Sequence, residues 1–348
     1  MRRIGYCIIW VWIRLALTFY FSGIKVKGLQ NVPLGKPVMF VSNHQNALLD
    51  ALLIATHCNR KPYFLTRSDV FKGTLLKVFF EFLQMIPVYR IRDGKDSLAG
   101  NNAIFERCSE LLQRGEALLI FPEGNHSLKR RVRPLSKGFT RILFLALENN
   151  PTVDITVVPI GVNYAKAAKF PDKAALYYGE GIRVQEFFNK EDLTGSASRL
   201  KQEVFHHLKR LTTHIEEESR YEEIVHKLDR ARVDYLDPVD INLILETGIF
   251  PEYKKREKEV PQKYIFKWAF FMLNFPMIIL WSKLIKPKVS EPEFLSTTRF
   301  MFALLYYPLF YLLLMGVMLI FFNWQATLMI CSAHFILGSI LVKLWRED

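Results

Sequence analysis

The chain has 348 residues, half of them apolar and 14% aromatic, yet 23% charged, with a net charge of +13. That length allows one large domain with an appendage, and the mixture excludes a wholly membrane-embedded protein. The positive balance suits an anionic membrane surface or an anionic substrate, and no zinc, helix-turn-helix or RNA-binding signature directs it to nucleic acid. Cys7, Cys58, Cys108 and Cys331 lack metal-ligand spacing and read as reduced, buried small hydrophobes in a cytoplasmic setting.

Residues 1–24 hold an apolar, aromatic run from Tyr6 to Phe21, preceded by Arg2 and Arg3 and interrupted by Arg14. No small-residue cleavage site follows, so the run is not read as a signal peptide. A charge in mid-run opposes a bilayer span. The preferred reading is an amphipathic helix in the membrane interface with snorkelling arginines; a helix packed on the domain core would show the same pattern.

Lys36 to Val41 then reads as a short buried strand that delivers a polar turn, Ser42 to Asn46. Ala47 to Thr56 follows as an apolar helix with Asp50 in its first turn and Asn46 as the expected N-cap. A histidine just outside a helix and a carboxylate just inside it can meet, which makes His44 a candidate general base oriented by Asp50. Ser97 to Gln113 is a helical pattern, Ala117 to Phe121 a second strand and Ile155 to Ile160 a third. Strands alternating with helices predict an α/β domain over 25–196, a mostly parallel central sheet flanked by helices, with ligands gathered beyond the strand carboxyl ends. Both the His44 turn and the Phe121-Pro122-Glu123-Gly124 turn follow strands in this way. Between the second and third strands, Lys129, Arg130, Arg131, Arg133, Lys137 and Arg141 crowd into a stretch without an acid. Most of them read as a solvated basic face, with Lys137 the first candidate to bind a substrate phosphate.

Residues 197–263 read as a charged helical extension, in which Glu216 to Glu218 and Lys254 to Glu259 are solvated faces and a linker. Residues 264–348 read as a membrane region. Phe300 to Phe322 is uncharged and would span about 34 Å as a helix, and Trp324 to Val342 about 28 Å, against a hydrocarbon core of roughly 30 Å. Joined at Asn323, they predict a transmembrane hairpin. Tyr264 to Trp281 is apolar but contains Lys267, Asn274 and Pro276. A span there would carry Lys283, Lys286, Lys288 and Arg299 across from the basic domain, so a re-entrant or interfacial segment broken at Asn274-Phe275-Pro276 is preferred.

Four boxes in order carry a family resemblance: Ser42-Asn43-His44-Gln45-Asn46-Ala47-Leu48-Leu49-Asp50, Ile86-Pro87-Val88-Tyr89-Arg90, Phe121-Pro122-Glu123-Gly124 and Val157-Val158-Pro159-Ile160. Over residues 35 to 165 the chain resembles the glycerolipid acyltransferases, the HxxxxD family. It departs from them in placing five residues, not four, between histidine and aspartate. Six positions along a helix turn about 600°, well off one face, so His44 must lie in the loop, with the extra residue absorbed before the helix starts.

The resemblance implies transfer of an acyl group from coenzyme A or acyl-carrier protein to a hydroxyl of a glycerol-phosphate lipid, foremost 1-acyl-glycerol 3-phosphate. Glycerol 3-phosphate or a lyso-aminolipid are alternative acceptors, and a catalytically silent lipid-binding protein is the alternative of another class. It implies no cofactor, and a place at the cytoplasmic face of a membrane, the inner membrane of a bacterium, anchored by the C-terminal helices. In residue terms it implies His44 as base and Asp50 as its partner. Asn43, Arg90, Glu123, Gly124, Ser127, Lys137 and Arg67 are the substrate-binding candidates, Arg90 for the acceptor phosphate. Relatives often carry Thr-Arg-Ser after the glycine; here Asn125-His126-Ser127 keeps only the serine. Ser127 or Cys58 as a nucleophile is the rival mechanism, and neither sits in an elbow motif.

Overall fold

The computed structural model describes residues 2–68, 80–89, 95–251 and 262–345. A first helix, α1 (Arg2–Tyr20), leads to β1 (Gly23–Lys27), β2 (Val38–Ser42), α2 (Leu48–His57), β3 (Tyr63–Arg67) and β4 (Met85–Val88). Then come α3 (Lys95–Gln113), β5 (Ala117–Ile120), α4 (Gly138–Asn149), β6 (Thr156–Tyr164), β7 (Lys173–Tyr178) and β8 (Ile182–Arg183). The helices α5 (Leu193–Leu211), α6 (Tyr221–Ala231) and α7 (Pro238–Thr247) follow.

The strands form one sheet in the order β1-β7-β6-β2-β5-β3-β4, with β8 also on β6. Its pairs are parallel except where β6 meets β7 and β8. The α/β layering expected from the sequence is therefore present. Central β2 is buried throughout, as a strand covered on both faces must be, and its apolar side chains alternate between two cores. Met39 and Val41 join the cluster under α3, α4 and α5, whereas Val38 and Phe40 join the one under α1 and α2. Removing a fully buried side chain such as Phe40 from water stabilises the fold by roughly 1.5–3 kcal/mol. Pro87 cannot donate to a ladder and lies in β4, at the sheet edge.

Three sequence expectations change. The extension does not begin at 197: Ala197, Leu200, Val204 and Leu208 form a buried stripe on α5 that completes the first core. Charges on the opposite face of that helix disguised it as a solvated one. Cys7 is exposed on α1 rather than buried, although all four cysteines are free. Asn46 does not cap α2, as the next subsection details. Helix α1 combines both of its readings. Leu17, Tyr20 and Phe21 enter the core and Trp10 Nε1 donates to Ala55 O at 3.0 Å, while Ile4, Ile8, Val11, Trp12 and Leu15 remain exposed on another side.

The C-terminal region consists of α8 (Gln262–Leu273), α9 (Phe275–Leu280), α10 (Leu295–Phe321) and α11 (Trp324–Leu344). The last two are long and apolar enough to cross a membrane. Helix α10 starts five residues before the uncharged run and so contains Arg299. The segments Tyr264–Leu273 and Phe275–Lys288 bend by 89° at Asn274, where the sequence placed the break.

Candidate active site

The turn after β2 gathers its polar groups on Asp50. His44 Nδ1 lies 2.7 Å from Asp50 Oδ2, and the backbone N–H groups of Gln45 and Asn46 donate to the same oxygen, each at 2.8 Å. Tyr164, at the end of β6, donates its hydroxyl proton to Oδ1 at 2.6 Å. Asp50 is fully buried, and burial, reinforced by the neighbouring carboxylate, holds the Tyr164 phenol well above its usual range, so it stays a donor. Four donors on one carboxylate fix His44 as the Nδ1–H tautomer and leave Nε2 as the basic nitrogen. The ring stacks on Phe121 at 4.1 Å and meets His126 edge-on at 5.6 Å.

The longer spacing is absorbed where the loop reading required. Helix α2 begins at Leu48, and Ala47 takes φ 43°, ψ −124°, a conformation that costs a non-glycine residue about 1–3 kcal/mol. Asn46 is not the side-chain cap; its amide donates to Ala167 O at 2.9 Å. Its carbonyl instead receives Leu49 N–H at 3.0 Å and the hydroxyl of Thr297, from α10, at 2.9 Å. Asn43 is likewise committed to structure: its amide donates to Val162 O at 3.0 Å and accepts from Val162 N–H at 2.8 Å, clamping the turn to β6.

The second turn, after β5, abuts the first. Ser127 N–H donates to His44 O at 3.0 Å, which brings Ser127 to the site through its backbone. Gly124 has φ 78°, which an L side chain would strain, and its Cα faces open space. Glu123 is paired with Arg133, whose Nε lies 2.9 Å and Nη2 2.5 Å from Oε2. Arg133 also holds the side chain and carbonyl of Asn125. Burial pushes the Glu123 carboxyl up, against the opposing pull of Arg133. Among the described residues the partner of this carboxylate is Arg133, and Arg90 lies outside them. Burial, and next the charge of His44, push His126 down, so it is neutral near pH 7. Its ring packs edge-on to Phe294 at 4.4 Å.

The basic stretch is not one solvated face. Arg130 is half-buried, donating to Tyr164 O at 2.9 Å and Ala165 O at 2.8 Å, with its guanidinium 3.5 Å from the Tyr235 ring centroid. Arg131 pairs with Glu218 at 2.8 Å. Lys137 is exposed at the start of α4, beside Ser136, whose N–H donates to Pro122 O at 2.8 Å. Arg67 closes β3, in register with Val88. Since β2, β5, β3 and β4 are mutually parallel, His44, Glu123, Arg67 and the approach to Arg90 share one edge of the sheet. Among the described residues no group of three or more His, Cys, Asp or Glu side chains is placed to hold a metal.

This geometry coincides with a match of residues 23–163 to the family model described as Acyltransferase. Residues 23–163 thus carry an acyltransferase-family domain. It is 28% identical over 163 residues to a chloroplastic 1-acyl-sn-glycerol-3-phosphate acyltransferase of Brassica napus, covering 46% of this chain and 44% of that one. It is 26% identical over 180 residues to a probable 1-acyl-sn-glycerol-3-phosphate acyltransferase of Mycoplasma pneumoniae, covering 50% and 64%. A shorter stretch of 83 residues is 28% identical to glycerol-3-phosphate O-acyltransferase 1 of Saccharomyces cerevisiae, covering 24% and 11%. The chain thus spans less than two thirds of each of these relatives. Among solved structures it is similar to the 1-acyl-sn-glycerophosphate (LPA) acyltransferase of Thermotoga maritima, with a TM-score of 0.42, 22% identity and coverage of 58% and 79%.

Within the acyltransferase domain, the sequence missed Tyr164, Arg133 and His126, and beyond it Thr297. Arg133 stood in the basic stretch but ten residues from its partner, too far for any local rule. Tyr164 and Thr297 lie 114 and 251 residues from Asp50 and Asn46, and nothing in a linear pattern connects them.

Proposed function

We propose that the protein is a membrane-associated O-acyltransferase that moves a fatty acyl group from a thioester to a hydroxyl of a glycerol-phosphate lipid, foremost 1-acyl-glycerol 3-phosphate. One observation carries this reading: His44 is held by a saturated, buried Asp50 with Nε2 free of hydrogen bonds among the described residues.

Nε2 takes the acceptor's hydroxyl proton as the oxygen attacks the thioester carbonyl carbon. The tetrahedral intermediate collapses with cleavage of the C–S bond, and the imidazolium returns the proton to the departing thiolate. Asp50 stabilises the imidazolium during this exchange without itself being protonated. The thioester is already activated, so no enzyme nucleophile is needed, and Cys58, whose thiol burial pushes up to about 11, is ill suited to be one. Arg90, Arg67 and Lys137 are the proposed phosphate contacts, and a side chain at Gly124 would meet nothing within 4 Å.

The test is an assay of the purified full chain with acyl-coenzyme A or acyl-carrier protein and a panel of phosphorylated and unphosphorylated glycerol acceptors. Transfer to 1-acyl-glycerol 3-phosphate is expected to exceed the others. Turnover with no acceptor and neither donor would favour the silent lipid-binding alternative.

A further inference from the structure

Asp50 holds His44 at one edge, and the face of the imidazole rests on Phe121. The two rings are nearly parallel, with 17° between their planes and 4.1 Å between their centroids. Phe121 follows β5 directly and is half-buried, packed against the core under α1 and α2. Its carbonyl accepts the Gly124 N–H at 3.2 Å, so the tight turn that needs Gly124 at φ 78° also holds the ring in place. Ser127 N–H, donating to His44 O at 3.0 Å, fastens the two turns to each other. Core filling asks for a large apolar side chain at this position. It does not ask for a ring parallel to an imidazole.

The stacking matters because His44 changes charge during the proposed reaction. The face of an aromatic ring is electrostatically negative and attracts a cation held over it within about 6 Å of the centroid. That attraction acts on the imidazolium and far less on the neutral imidazole. We infer that Phe121 is a positioning residue for acyl transfer: its π face fixes the plane of His44 and stabilises the imidazolium that forms when Nε2 takes the acceptor's proton. The inference rests on the proposed role of His44 as the base. Around the imidazole stand Asp50 on Nδ1, itself held by Tyr164, and His126, edge-on at 5.6 Å and kept neutral near pH 7 by burial. Glu291 lies 3.8 Å beyond His126, and Glu123, paired with Arg133, is near enough to feel the charge of His44. None of these groups changes when only the electron density of the Phe121 ring is altered.

Progressive fluorination tests this, because fluorine drains the π face while leaving the shape of the ring almost unchanged. Mono-, di- and trifluorinated phenylalanine replace Phe121 in the full chain in detergent, and kcat/KM for acyl transfer is followed against pH. kcat/KM should fall stepwise with each fluorine, by about 2- to 30-fold at the trifluorinated end. The acid limb of the profile should move to lower pH by roughly 0.4–1.5 pH units, because a base whose cation is less stabilised is a weaker base. Phe121→Tyr keeps the face and should retain most of the rate, whereas Phe121→Leu should resemble the trifluorinated chain. NMR titration of the histidine-labelled chain, with the His44 signal identified by its absence in His44→Ala, should show the same movement without any substrate. A rate and a titration indifferent to fluorine, with a loss in Phe121→Leu alone, would reduce Phe121 to packing and overturn the inference. A fluorine-dependent titration in a chain that acylates nothing would sink the acyltransferase reading alone. Transfer that His44→Ala abolishes, with a titration indifferent to fluorine, would sink the role of Phe121 alone.

Discussion

Thr297 donates its hydroxyl proton to the carbonyl of Asn46 at 2.9 Å, so a helix of the C-terminal region fastens the turn that presents His44. The oxygen of that hydroxyl also lies 3.4 Å from Leu49 N. Both contacts flank Ala47, the residue at positive φ that accommodates the longer histidine–aspartate spacing. Thr297 therefore positions His44, the proposed base, from outside the acyltransferase domain.

Thr297→Val keeps the shape and removes the donor, leaving a buried carbonyl short of a partner at a cost of about 1–3 kcal/mol. The turn should loosen, and kcat should fall roughly 10-fold with KM for both substrates little changed. Thr297→Ser should restore most of the rate. Equal losses in the valine and serine variants would mean that packing, not the hydrogen bond, is what Thr297 supplies.

His44→Ala should abolish transfer in a folded protein, and Asp50→Asn should be severely impaired, because the amide cannot accept from all four donors. Tyr164→Phe is the finer probe. It removes one donor from a buried carboxylate, worth about 1.5–3 kcal/mol for a charged group, and should lower kcat by roughly 10- to 100-fold. Steady-state kinetics with matched melting temperatures would separate this from unfolding. An unimpaired Tyr164→Phe enzyme would show that the Asp50 geometry is held without the phenol.

These residues mark what the sequence carried and what it did not. The order of the boxes singled out His44, Asp50 and Glu123, and the apolar runs at 36–41, 117–121 and 155–160 located three central strands, because burial on both faces writes a continuous apolar signal. Edge and short strands such as β1, β4 and β8 write no such signal. Nor does the sequence distinguish Arg130 and Arg133 from their exposed neighbours, since charge alone does not say which arginine meets Glu123 or the carbonyls of Tyr164 and Ala165. Helix α5 misled for the converse reason: its lysines and arginines are many, yet its apolar residues fall on one stripe.

Arg133→Ala should be more damaging than Glu123→Gln. The first strands a carboxylate whose side chain is only 2% exposed, at a cost of about 3–5 kcal/mol, whereas the second removes the charge that needs compensation. Without Arg133, burial is opposed only by the charge of His44 and raises the Glu123 carboxyl further, so the variant should lose stability as pH rises. Urea denaturation of the two variants provides the comparison. An Arg133→Ala protein as stable as the wild type would mean that Glu123 is hydrated or protonated in the native state.

His214 makes acid stability predictable. Burial pushes its imidazole down to about 4, and Nδ1 accepts the Val132 N–H at 3.0 Å. The unfolded chain takes up a proton near pH 6.5, whereas the folded one does not until about pH 4. The contribution is therefore complete above pH 6.5 and is lost as pH falls toward 4, by up to about 3 kcal/mol. His214→Asn keeps an acceptor for Val132 and cannot be protonated, so its stability should decline less over that window. Identical pH profiles for the two proteins would show that His214 is not held neutral by the fold.

Both ends of the α10–α11 hairpin are fixed to the α/β domain. At the start of α10, Ser296 Oγ donates to Ala167 O at 2.7 Å; at the end of α11, Lys343 Nζ donates to Thr18 O at 2.6 Å and to Phe21 O at 2.5 Å. Helices that begin and end beside one domain can cross a membrane only as a pair, which would set Asn323 at the far side. The broken segment before them then returns to the side it left, since Lys288 is eight residues from Ser296. A break at membrane depth is tolerated only where its backbone finds partners. Here the freed Leu273 carbonyl lies 3.1 Å from His334 Nε2, and His334 Nδ1 lies 2.9 Å from the Tyr311 hydroxyl. A cysteine at Lys288, in a background without the four native ones, should resist an impermeant thiol reagent in intact cells and react after permeabilisation. Labelling from outside would instead make Tyr264–Lys288 a true span and place the catalytic domain on the opposite side from Lys288.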